Sequence, residues 1–106
     1  MLQVVRANAA DTDALFALQQ LAFERIAIRA KLPAIPPMAE TVSELRQDFA
    51  TSTILKALWQ EVLVGAVRGT LRGNVCHVSR MAVHPEHQGK GIGSALLAKI
   101  EHSFSG

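Results

Sequence analysis

The chain has 106 residues, 49% hydrophobic and 19% charged, with 11 basic and 9 acidic side chains and a formal net charge of +2. This composition is that of one soluble globular domain, residues 1–106, whose scattered Lys and Arg form no run, which excludes a nucleic-acid-binding stripe. The single cysteine, Cys76, excludes an internal disulfide framework.

Further expectations come from the same balance. A mildly basic surface suits a small anionic ligand better than a polymer. Met1–Arg6 lacks the basic start and apolar run of a secretion signal, and no apolar stretch reaches membrane-spanning length. The expected location is therefore cytoplasmic, with no membrane partner.

Leu2–Ala7 is short and loosely alternating, as in a first strand. Asp11 can cap a helix whose apolar stripe is Leu15, Leu18, Ala22, Phe23 and Ile26, running to about Arg29. Pro33 ends it, and with Pro36 and Pro37 makes Lys31–Ala39 a stiff connector. Thr41 and Glu44 form a capping box for a second, short helix carrying Leu45 and Phe49.

The period then changes. Ile54–Trp59, Val62–Leu71 and Val75–Val83 read as strands, with turns at Gln60-Glu61 and Arg72-Gly73-Asn74. They form an antiparallel meander. His84–Lys90 is a polar loop, and Ile92, Leu96, Leu97, Ile100 and Phe104 mark one face of a last helix. The predicted fold is mixed α+β, in the order β-α-α-β-β-β-α.

The segment from Val78 to Leu97 carries the chemistry. A strand enters a loop, glycines alternate as Gly89, Gly91 and Gly93, and a helix begins at once. Glycines let backbone amides approach a ligand, and the unpaired amides of a helix start favour an anion such as a diphosphate. A Walker A loop requires Gly, four residues, then Gly-Lys-Ser/Thr, whereas Gly89-Lys90 is followed by Gly91. A Rossmann fingerprint requires G-x-G-x-x-G directly after a parallel strand, and this chain has G-x-G-x-G separated from Val83 by a loop.

Gln88-Gly89-Lys90-Gly91-Ile92-Gly93 fits instead Gln/Arg-x-x-Gly-x-Gly/Ala, the acetyl-coenzyme A signature of the GNAT superfamily of N-acetyltransferases. With Met81-Ala82-Val83-His84-Pro85 before it and Ser94-Ala95-Leu96-Leu97 after it, the segment resembles that family's coenzyme site. The resemblance covers the chain in element order and residues 75–104 in motif.

The resemblance implies an N-acetyltransferase that moves an acetyl group from acetyl-CoA, its cosubstrate, to a primary amine of a small molecule or peptide, without a metal. The coenzyme diphosphate would lie against Gln88, Gly89, Lys90, Gly91, Ile92, Gly93 and Ser94. The pantetheine arm would pair with Met81, Ala82 and Val83 as an added strand, and an amide there would stabilise the developing oxyanion. His77 falls where some members place a base on this strand, and an imidazole suits proton removal from an amine. The alternative for His77 is a strand histidine satisfied by a neighbour. Arg80, by strand parity, faces away from His77, Ser79 and Met81 and reads as a surface cation or a holder of an anionic group. Glu40, beside the proline connector, lies where the family often builds the acceptor pocket and could select a cationic amine.

A full domain of this family continues past the coenzyme-binding helix with a strand, a helix and a hairpin. The sequence is therefore expected to be a C-terminally incomplete domain with an exposed strand edge along Val75–Val83, open to a second copy as a homodimer or to a complementary fragment. The competing expectation is a catalytically inactive acyl-CoA-binding or oligomerising fragment.

Overall fold

In the computed structural model, which describes residues 1–31 and 40–104, the sheet is a four-stranded antiparallel meander. Its strands are β1 (Leu2–Arg6), β2 (Thr53–Trp59), β3 (Val62–Arg72) and β4 (Val75–Val83), in that spatial order. Among the described residues three α-helices accompany them: α1 (Thr12–Ala30), α2 (Val42–Asp48) and α3 (Ile92–Ser103). The element order is the one expected. The proline-bearing stretch lies outside the described residues, except that Lys31 closes α1 in a left-handed conformation with φ 57°.

Local chemistry accounts for most boundaries. Thr41 Oγ1 accepts from the Glu44 amide at 3.1 Å while Glu44 Oε1 accepts from the Thr41 amide at 2.9 Å, the reciprocal box that starts α2. Asp11 stands at the N-cap of α1, but its carboxylate is not used there. It accepts from the Asn8 amide at 2.9 Å, closing a 3-10 turn over Ala9–Asp11, and from Lys56 Nζ at 2.9 Å on β2. The competing local bond wins because Asn8 and Asp11 satisfy each other's turn first.

The sheet buries both faces. On one, α3 lays Ile92, Leu96 and Ile100 onto Leu55, Ala57, Val64 and Val67. Each of the three α3 side chains is at most 1% exposed, worth roughly 1.5–3 kcal/mol apiece in transfer free energy. On the other, α1 and α2 cover Ala7, Ile54 and Ala82 with Leu15, Leu45, Ala22 and Phe23. Of the expected α1 stripe only Ile26 is turned out to solvent, and Gln19 and Ala27 are buried with the rest.

β4 is irregular. Arg68 pairs with Ser79 and Ala66 with Ala82, so one β3 residue, Val67, stands opposite two β4 residues, Arg80 and Met81. This bulge puts Arg80 at φ +55°, a left-handed conformation that costs a side-chain-bearing residue about 1–2 kcal/mol. A bulge reverses the facing of the residues after it. Met81 accordingly packs with the α3-side core, while His77 and Ser79 share the α1 side with their partners Thr70 and Arg68. Strand parity alone misplaces both Arg80 and Met81.

Candidate functional site

The β4-to-α3 connection is built to present backbone donors. His84 donates its amide to Val64 O at 2.8 Å, and its Nδ1 accepts from the Glu86 amide at 3.1 Å, capping a 3-10 turn over Pro85–His87 where the sequence suggests only a polar loop. Gly89 and Gly91 come next at φ +84° and +77°, conformations that glycine adopts freely. Gly91 is the N-cap of α3, and no side chain caps that helix. The first intrahelical bond from Gly91 O goes to the Ala95 amide at 3.1 Å, so the amides of Ile92, Gly93 and Ser94 have no acceptor within the helix.

The space in front of these amides is open. A Cβ added at Gly89 or Gly91 would meet nothing within 4 Å. Uncapped donors, the positive end of the α3 dipole and a clear approach together fit a phosphate or diphosphate, so the residues from Gln88 to Ser94 suit the diphosphate of a coenzyme.

Cations gather round this turn. Lys90 lies over the Trp59 ring, its Nζ 5.4 Å from the centroid and 3.3 Å from His87 Nδ1. Arg25 and Arg29 of α1 line a cleft with Ile26, Pro85 and Gln88. Sequence reasoning missed the two arginines, although their i, i+4 spacing sets them on one face of α1.

Met81, Ala82 and Val83 run along β4, the edge strand, with β3 on one side only. Their side chains are anchored in the core while the outer main-chain edge is unpaired among the described residues. His77 is exposed on the α1 side, opposite Thr70; Cys76 is opposite Leu71, on the other face, so the two do not form a pair.

Glu40, the carboxylate expected beside the acceptor pocket, is engaged by neighbouring side chains. Its side chain is only 7% exposed. Oε1 accepts from Arg68 Nη2 at 2.5 Å and Gln19 Nε2 at 2.9 Å, and Oε2 accepts from Arg68 Nη1 at 2.7 Å. Arg68 Nη1 also reaches Asp48 Oδ2 at 2.7 Å, and Nη2 reaches Gln19 Oε1 at 2.8 Å. Burial alone would push the Glu40 carboxyl up, but hydrogen bonds from Arg68 and Gln19, with the charges of Arg68 and Arg80, hold it below the ordinary carboxylate value. Arg80 Nη2 approaches Glu40 Oε2 only to 3.9 Å. Arg68 itself was legible in principle. A charge in a strand paired on both sides demands a counter-charge where its face is covered, as α1 and α2 cover this one.

Among the described residues no three His, Cys, Asp or Glu side chains gather to hold a metal ion, and no helix is long and apolar enough to cross a membrane.

The sequence profile of the acetyltransferase (GNAT) family matches residues 13–105. The chain belongs to this family. Solved structures agree on the GNAT fold. The PaiA N-acetyltransferase of Thermoplasma acidophilum, in complex with coenzyme A, superposes with TM-score 0.85 at 16% identity, over 98% of this chain and 72% of that one. A GNAT acetyltransferase of Brucella melitensis, in complex with acetyl-CoA, gives TM-score 0.72 at 15% identity, over 98% and 68%. The ribosomal-protein-S18-alanine N-acetyltransferase of Escherichia coli gives TM-score 0.77 at 15% identity, over 98% of this GNAT chain and 59% of its own length. No curated protein sequence matches the chain.

Proposed function

We propose that this chain binds acetyl-CoA and transfers its acetyl group to a primary amine of a small molecule or peptide. The coenzyme supplies the acetyl group as a thioester. Every other role falls to the residues of the chain. The observation that carries the proposal is the turn from Gln88 to Ser94, where two left-handed glycines open directly onto an uncapped helix start.

In this assignment Gln88, Gly89, Lys90, Gly91, Ile92, Gly93 and Ser94 hold the phosphates, chiefly through main-chain donors, with Arg25 and Arg29 adding positive charge nearby. The outer edge of Met81, Ala82 and Val83 offers main-chain pairing to the extended pantetheine arm, as strand edges do for added strands. His77, exposed on the α1 side of β4, accepts the proton of the incoming amine directly or through water. Glu40, held by Arg68 and Gln19, borders the acceptor side, where its carboxylate would favour a cationic amine. Residues 1–106 form a single coenzyme-binding unit working in the cytoplasm, and the β4 edge left unpaired among the described residues is where a second copy would add.

The alternative is a silent acyl-CoA-binding or oligomerising module, and the same unpaired edge favours it. Two measurements decide. Titration calorimetry with coenzyme A, acetyl-CoA and ATP should give binding of both coenzyme forms with ATP markedly weaker; equal affinity for ATP would remove the assignment. A thiol-release assay over a panel of amines should then show turnover. Coenzyme binding without turnover would leave the silent module standing.

A further inference from the structure

Arg68, Glu40 and Asp48 make a buried ionic knot whose purpose is not explained by stability alone. One guanidinium faces two carboxylates: Arg68 is 4% and Glu40 7% exposed, while Asp48, at 39%, keeps its charge in contact with solvent. Buried ion pairs of this kind are often no more stabilising than well-packed apolar side chains of the same volume, so their retention points to positioning. Three elements meet in the knot: Gln19 from α1, Asp48 from the end of α2 and Arg68 from β3.

The fourth participant is Arg80. Among the described residues its one ion pair is with Glu40 Oε2, at 3.9 Å, too long for a hydrogen bond but close for a charge in a low-dielectric setting. Arg80 is also the bulge residue, held at φ +55° directly before the Met81–Val83 segment. A strained backbone persists only where its surroundings enforce it. Glu40, the buried carboxylate of the knot, is the group that faces the residue that needs enforcing.

We propose that the Arg68–Glu40–Asp48 knot is a positioning device that holds Arg80 in its left-handed conformation, and through the bulge sets the direction of the Met81–Val83 edge. The proposal deepens the acetyl-transfer assignment and rests on it for its consequence, but the structural link stands by itself. Arg80 acts here through its backbone. A glycine at position 80 would take the same φ with no anchor.

Glycine makes the test specific. In the full chain, nuclear Overhauser contacts across Arg68–Ser79 and Ala66–Ala82 report the bulge register, and thiol release with a fixed amine panel reports turnover. Glu40→Gln, which removes the charge with little change of shape, should weaken those cross-strand contacts and lower kcat roughly tenfold. Adding Arg80→Gly to Glu40→Gln should restore the register and most of the lost kcat. A substrate-binding role for Arg80 would make that double variant worse, and a merely structural role for Glu40 would leave it unrescued; either result overturns the proposal, as does an unchanged register in Glu40→Gln. Should Glu40→Gln fail to fold, Asp48→Asn, at the more exposed end of the knot, removes the other of its two negative charges and is read with the same glycine partner. If the wild type shows no coenzyme A binding the acetyl-transfer assignment falls, while the register measurement still decides the link.

Discussion

Gly65 of β3 lies against Ile92 at the start of α3 so closely that an added Cβ would stand 2.8 Å from Ile92 Cγ2 and 3.3 Å from the Ala82 carbonyl. The first turn of the helix thus rests on the sheet backbone. Gly69, further along the same strand, does the same for the other end of α3, where a Cβ would meet Phe104 at 2.6 Å and Ile100 at 2.8 Å.

The two glycines should therefore separate stability from ligand grip. Gly65→Ala and Gly69→Ala should each destabilise by about 1–3 kcal/mol through overpacking. Only Gly65→Ala displaces the amides of Ile92, Gly93 and Ser94, so it should also weaken coenzyme A binding several-fold. Thermal melts and calorimetry on both variants check this; equal loss of affinity would argue against the helix start as the anion site.

Gly91→Asp puts a carboxylate where the phosphates would sit, in a left-handed position that Asp tolerates better than most residues. Coenzyme A affinity should fall at least about tenfold with a small change in melting temperature. Arg25→Ala and Arg29→Ala should give milder losses and a flatter dependence of affinity on salt, because exposed charges act through a screening length of about 8 Å at physiological ionic strength. Calorimetry at two salt concentrations reads both effects.

His77→Ala should remove most turnover while coenzyme A still binds. Unchanged turnover would return His77 to the role of an exposed strand histidine.

The knot also sets acid stability. The Glu40 carboxyl is harder to protonate folded than unfolded, so its contribution is complete above the unfolded carboxylate value and is lost as pH falls through the lower folded one. Stability of the wild type should fall as pH drops from the ordinary carboxylate value toward the lower folded one, and Glu40→Gln should flatten that part of the curve. Arg68→Ala, which leaves Glu40 buried without its cation, should cost about 3–5 kcal/mol at neutral pH. For a domain of this size that amounts to a fall in melting temperature of roughly 12–40 °C. Circular dichroism melts across pH test both.

The sequence displays whatever depends on neighbours in the chain. The Thr41/Glu44 box, the meander strands, the Gly89-Gly91 turn and the α3 stripe are local patterns present in the fold, except that Leu97 of the expected stripe is turned out to solvent. The knot is not local: Gln19, Glu40, Asp48 and Arg68 meet across up to 49 positions, and no spacing rule links them. The bulge at Arg80 was likewise hidden, because a single extra residue in β4 is set by its pairing with β3 and reverses a parity that the strand sequence shows as unbroken. Arg25 and Arg29 read as ordinary surface charges until α1 is laid beside Gln88.

The coenzyme assignment depends above all on the main-chain donors between Gln88 and Ser94 gripping its phosphates. Titrating isotope-labelled protein with coenzyme A and following the backbone amide resonances tests this directly. The largest shifts should fall on Gly89, Gly91, Ile92, Gly93 and Ser94, with a second group at Met81–Val83 that a phosphate-only probe, adenosine 3′,5′-bisphosphate, does not produce. Saturable binding that leaves the Gly89–Ser94 amides unmoved would contradict the assignment.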